Sequence, residues 1–126
     1  MPFGFMESLE SPDLRFNAER QWWGERVEGA GKTIQLAKEN GMSVMLKPQI
    51  WIRRGDFTGN IQMTSEADWK QFEDNYLQFI LLYANLAERE KAEIYCIGTE
   101  LNSFVTARPA FWLELIAEVK KVYSGE

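Results

Sequence analysis

The stretch Ile94–Asn102, IYCIGTELN, decides how the chain is read. A short, mostly apolar run such as Ile94–Ile97 suits a strand buried on both faces of a parallel sheet. The run then gives way to Gly98, Thr99, a carboxylate at Glu100 and an amide at Asn102. Immediately before it lies an amphipathic helix over residues 66–90. Trp69, Phe72, Tyr76, Phe79, Ile80, Tyr83, Leu86 and Ala87 recur there at the i, i+3, i+4, i+7 spacing of one helical face. Ser65 is a suitable N-cap, and Asp68 three positions on supplies a capping-box-like carboxylate. Downstream, Pro109 suits the first position of a last helix. That helix is expected to bury Trp112, Leu115, Ile116, Val119 and Tyr123 and to end before Gly125.

The same alternation repeats upstream. SVMLKPQIWI (43–52) contains the apolar run Val44–Leu46, which predicts a strand over 43–48. A helix is expected before it, over 25–40, with Val27, Ala30, Ile34 and Ala37 on one face and Gly41 just past its end. PFGFM (2–6) reads as the tail of a further strand, 9–21 as a polar loop, and 53–64 as a loop longer than the usual connection. Strand–helix three times over is an α/β pattern of parallel βαβ units, with the helices outside the sheet. Residues 1–126 therefore read as one α/β unit. It is either part of a (β/α)8 TIM barrel, which takes about 250 residues, or a small open α/β domain. Periodicity alone does not separate the two.

Composition narrows the function. With 14 basic and 19 acidic residues the net charge is −5, which disfavours nucleic acid and anionic membrane surfaces as partners. No apolar run is long enough to span a membrane. The absence of histidine and the single cysteine, Cys96, exclude a zinc site of His or Cys and any intrachain disulfide. No cofactor or metal is implied. The start, MPFGFMESLE, lacks the basic and apolar regions of a signal peptide. Because PFGFM is only a strand's tail, the natural N-terminus is expected upstream, and the compartment stays open.

In either architecture ligands bind beyond the carboxyl ends of the strands, and that rule selects three clusters. Glu100 with Asn102 comes first. A carboxylate leaving the core can have its pKa raised by desolvation, which suits it to protonate a leaving group, while Asn102 can orient a hydroxyl. The plainer alternative is a salt bridge for Glu100 and a helix cap for Asn102. Lys47, Gln49 and Trp51 form the second cluster. Lys47 is a Schiff-base nucleophile if desolvated, a hydrogen-bond donor to substrate, or a salt-bridge partner of Glu100. Trp51 is a stacking platform for a sugar face or a hydrophobic cover. The third is QWWGE (21–25), whose adjacent tryptophans cannot both point inward easily, so Trp23 with Glu25 is counted among the cleft-lining candidates.

Taken together, PFGFM, QWWGER, VMLKPQIWI, SEADW, IGTEL and RPAFW resemble the TIM barrels of glycoside hydrolase family 113, the group containing endo-β-mannanases. The resemblance spans nearly the whole chain. It implies a retaining glycoside hydrolase acting on a β-mannan-like polysaccharide, with the three strands as strands two to four of the barrel. It further implies Glu100 as general acid/base and Trp23, Glu25, Lys47, Gln49, Trp51 and Asn102 as substrate-binding residues. Thr99 stands where much of the wider clan has Asn, and the nucleophile is expected on strand seven, beyond Glu126. The chain alone is therefore expected to be inactive, and to associate with the remainder of its barrel or with itself. The rival readings are a carbohydrate-binding or scaffolding module and a Schiff-base lyase using Lys47; trapping of a carbonyl adduct on Lys47 by borohydride would single out the lyase.

Overall fold

The computed structural model describes residues 1–126. Its first strand, β1 (Phe3–Met6), is flanked on one side by the antiparallel two-residue strand β2 (Arg15–Phe16). On the other side it runs parallel to β4 (Gln49–Ile52), with Phe3 beside Gln49 and Phe5 beside Trp51. A second parallel pair joins β3 (Met45–Leu46) to β5 (Ile94–Tyr95). Between the strands lie α1 (Val27–Glu39) and α2 (Glu66–Arg89); after β5 come α3 (Asn102–Ala107) and α4 (Pro109–Val122).

Pro48 explains why one strand is split in two. The Cys96 amide donates to the Leu46 carbonyl at 2.9 Å. The parallel ladder would next need the N–H of residue 48, which proline lacks. The chain therefore changes partner there. The half before Pro48 pairs with β5 and the half after it pairs with β1, where Gln49 N donates to Pro2 O and Arg53 N to Met6 O, each at 3.0 Å. The strand expected to stop at Pro48 consequently runs on to Ile52.

Alternation sorts the sheet into two faces. Gly4, Met6, Leu46, Ile52 and Tyr95 point toward the helices and are buried. Gly4 has no room for a side chain: a Cβ would stand 2.8 Å from Leu14 Cδ1. The opposite face, carrying Met45, Lys47, Gln49, Trp51 and Ile94, is half-buried or exposed.

The eight apolar positions expected on α2 are all buried. Ser65 caps the helix by accepting from the Asp68 amide at 3.1 Å, and its hydroxyl donates to the Asp68 carboxylate at 2.7 Å. Three tyrosine hydroxyls donate along the helix–sheet seam: Tyr76 and Tyr83 of α2 to Ile97 O at 2.8 Å and Glu25 O at 3.0 Å, and Tyr95 of β5 to Ile80 O at 2.6 Å. In α4, Phe111 rather than Ile116 completes the buried face; Ile116 lies at its edge and is exposed. Arg108, just before α4, donates to Glu73 at 2.5 Å and bidentately to Glu66 at 2.7 and 2.9 Å, and lies over the Trp69 ring. These bonds raise its pKa and tie the start of α4 to the first turns of α2.

The edges are less bare than three isolated strands would leave them. β2 covers the outer side of β1. Along β5, Glu126 N donates to Glu93 O at 3.1 Å and Tyr95 N to Glu126 O at 2.6 Å. That is the hydrogen-bond pattern of a parallel bridge.

Glu93 ties the elements around β5 together. Its carboxylate accepts from Lys38 Nζ at 2.6 Å and from the Val44 amide at 2.7 Å. The lysine contact first, then the backbone donor, hold its pKa down from 4.5 to about 2. A depressed carboxylate contributes stability above its unfolded value and loses it as pH falls through the folded one. The melting temperature should therefore fall on acidification between 4.5 and about 2. Glu93→Gln should shrink that fall without abolishing it, because Glu66, Glu88 and Glu90 are also held low. An unchanged pH profile in circular-dichroism melts of Glu93→Gln would remove Glu93 from this role.

Candidate active site

Past β5 the chain makes a tight turn, and Glu100 sits in the left-handed region at φ 55°. Two other non-glycine residues share that conformation. Asn17 is of a type that tolerates it, and Lys91 follows the C-cap of α2, where it is common. Glu100 has neither reason. Such a conformation costs of order 1–3 kcal/mol and persists only when its surroundings enforce it.

The surroundings are specific. Before the turn, the Tyr76 hydroxyl holds the Ile97 carbonyl. Gly98 lies under the Trp112 ring, where a Cβ would meet Trp112 Cη2 at 2.8 Å. After the turn, Leu101 is buried and α3 begins, with Phe104 fully buried against Trp69, Phe72, Tyr76, Phe111 and Trp112. From across the site, Thr58 Oγ1 donates to the Glu100 carbonyl at 2.9 Å.

Glu100 borders two cavities. One, of about 310 Å3, is lined among others by Phe3, Gln49, Trp51, Phe57, Thr58 and Thr99. The other, of about 490 Å3, lies on the side of Asn102, Thr106 and Trp112. Trp51 is 52% exposed, with its ring edge-on to Phe3 at 6.3 Å between centroids. An exposed aromatic face, an amide and a carboxylate around one opening form a combination able to stack a sugar ring, hydrogen-bond its hydroxyls and exchange a proton with it.

Several expectations are corrected. Glu100 is exposed, so the desolvation expected for it is not supplied by the residues around it. It forms no ion pair with Lys47; none of the eight ion pairs involves either residue. Lys47 directly follows β3, but the strand resumes as β4 beyond Pro48. The lysine shares the face of Gln49 and Trp51 but lies four residues before Trp51, roughly 13 Å along the strand, and does not line the 310 Å3 cavity. Asn102 is the first residue of α3 and makes no capping bond. Neither Trp22 nor Trp23 is buried. Trp22 and Glu25 line a separate cavity of about 440 Å3 with Phe5, Arg15, Arg20 and Gln21, and Trp23 does not line it. No cluster of three His, Cys, Asp or Glu residues is placed to hold a metal ion, and no helix is long and apolar enough to cross a membrane.

The family model of Glycoside Hydrolase Family 113 matches residues 1–126. The chain belongs to this family. Among solved structures it is similar to the family 113 β-mannanase AaManA of Alicyclobacillus acidocaldarius, determined in complex with ManMIm. The TM-score is 0.88 and the identity 27%, over 97% of this chain and 39% of that one. Two further structures of family 113 β-1,4-mannanase, one of them a complex, give TM-scores of 0.86 and 0.84 at 26% identity, covering 98% of this chain and 40% of each of those. The chain thus spans about two fifths of the length of the family 113 structures it matches. Its fold is part of a (β/α)8 barrel, as the family resemblance implied. No curated protein matches it.

Proposed function

We propose that these residues form the strand-two to strand-four portion of a retaining β-mannanase, with Glu100 as its general acid/base. The observation that carries the reading is Glu100 itself: a carboxylate held in a costly left-handed turn just past a parallel strand, at an opening it shares with Gln49 and Trp51. In this role Glu100 protonates the glycosidic oxygen as the bond to the anomeric carbon breaks, then takes a proton from the water that releases the glycosyl–enzyme. Trp51 stacks on a sugar ring. Gln49 and Asn102 hydrogen-bond sugar hydroxyls on either side of Glu100, Lys47 reaches a deeper hydroxyl, and Glu25, with Trp22 beside it, extends the cleft beyond Phe5.

Retention needs a second carboxyl group about 5–5.5 Å from the first, and on the family resemblance it comes from strand seven. The partner of this portion is accordingly the rest of its own barrel. The exposed face of Met45, Trp51 and Ile94 is the face a closed barrel turns inward, and the parallel bridge at Glu126 is where a next strand would pair. The test compares β-mannan hydrolysis by the 126-residue chain with that by the full-length protein. The chain alone should be silent and the full-length protein active. Turnover by a monomer of residues 1–126 would place a second carboxylate within this chain and remove the strand-seven nucleophile from the scheme.

A further inference from the structure

The long loop between β4 and α2 has no place in the acid/base scheme, yet it is built as a rigid support. Ile61 and Met63 are buried, and Gln62 N donates to Leu9 O at 3.1 Å. Gly59 is also buried, and a Cβ there would run into the Phe57 ring. These anchors fix a short 3₁₀ turn, Thr58–Asn60, whose first side chain reaches the Glu100 carbonyl. The peptide plane that follows a left-handed residue is set by that residue's carbonyl, so a donor fixed on it selects the turn.

We infer that Thr58 is a positioning residue for Glu100. Its hydroxyl holds the Glu100 carbonyl, keeps the backbone left-handed and thereby aims the carboxylate into the opening shared with Trp51 and Gln49. Tyr76 does the corresponding task before the turn, but from the helix side and on a different carbonyl. Thr58 is the cleft-side half of the clamp, 42 residues away in sequence. Its catalytic consequence rests on the acid/base reading of Glu100; its backbone consequence does not.

The experiment uses the full-length protein and two variants, Thr58→Val, which keeps the shape and loses the donor, and Thr58→Ser, which keeps the donor. Two readouts are taken: kcat and KM on β-mannan, and the backbone conformation of residue 100 by crystallography or NMR. In Thr58→Val, kcat should fall by about ten- to a hundred-fold, the range expected when a reacting group is displaced by about an ångström, with KM little changed. Residue 100 should leave the left-handed region or populate several conformations. Thr58→Ser should behave as wild type in both. A left-handed residue 100 retained in Thr58→Val overturns the inference whatever the activity, as does an equal loss in Thr58→Ser. If the wild-type protein leaves β-mannan intact, the functional reading fails, and the backbone readout alone decides the role of Thr58.

Discussion

In the full-length enzyme, Glu100→Gln should lower kcat/KM on β-mannan by about 10²–10⁴-fold, the contribution of a positioned general acid/base. Glutamine matches glutamate in size and keeps hydrogen bonding at the opening, so the loss reports proton transfer and not shape. The leaving group separates the two steps. A mannoside with an acidic phenol leaves without protonation, so formation of the glycosyl–enzyme should be largely spared, and its breakdown, which needs a base, should become limiting. Azide needs no deprotonation to attack and should restore turnover. Wild-type hydrolysis by Glu100→Gln, or a loss that ignores the leaving group, would take the acid/base role away from Glu100.

Truncation of Phe104 to alanine should destabilise the fold by about 3–5 kcal/mol, the usual range for a fully buried phenylalanine. Phe104 is inaccessible to solvent, and its ring lies 4.9 Å from that of Phe72, 5.2 Å from Trp112 and 5.3 Å from Phe111. It is also the only buried residue of α3, so without it the helix loses its attachment to α2 and α4. Because α3 starts two residues after Glu100, activity should drop along with stability. Denaturant unfolding measures the first effect, and a loss below about 1 kcal/mol would mean that the pocket collapses around the missing ring.

The contrast between α2 and α3 marks what the sequence makes legible. In α2, eight apolar residues repeat over 24 positions, so period, cap and end are all local. The expected span of 66–90 accordingly differs from the observed one by a single residue. α3 is the six-residue NSFVTA, with β-branched Val105 and Thr106 and no side-chain cap. Its local preference is poor, and it forms because Phe104 fills a hole between two other helices. β2 escaped for a similar reason, since two residues carry no period. The strand expected over 43–48 was too short for the opposite reason: Pro48 ends the ladder with β5, but the chain changes partner there and runs on to Ile52 beside β1.

The site was legible in part. The position of Glu100 after a strand could be read from IYCIGTELN, because the strand-end rule depends only on order along the chain. Its left-handed backbone could not, since glutamate carries no signal for that conformation. Nor could Thr58, which meets Glu100 only through the docking of a loop whose anchors, Ile61 and Met63, look like ordinary apolar residues. The depth of Lys47 was missed together with the continuation of its strand to Ile52.

Pro48 also separates the supports of the opening mechanically. Trp51 and Gln49 stand on the half of the strand that is bonded to β1, whereas Glu100 follows a strand bonded to the other half. Force applied to Trp51 is passed sideways into β1 and from there to β2. It has no ladder bond through which to pull on β5. Trp51 and Glu100 thus rest on different ladders, and the bond that joins their two sides across the opening is the one from the Thr58 hydroxyl to the Glu100 carbonyl.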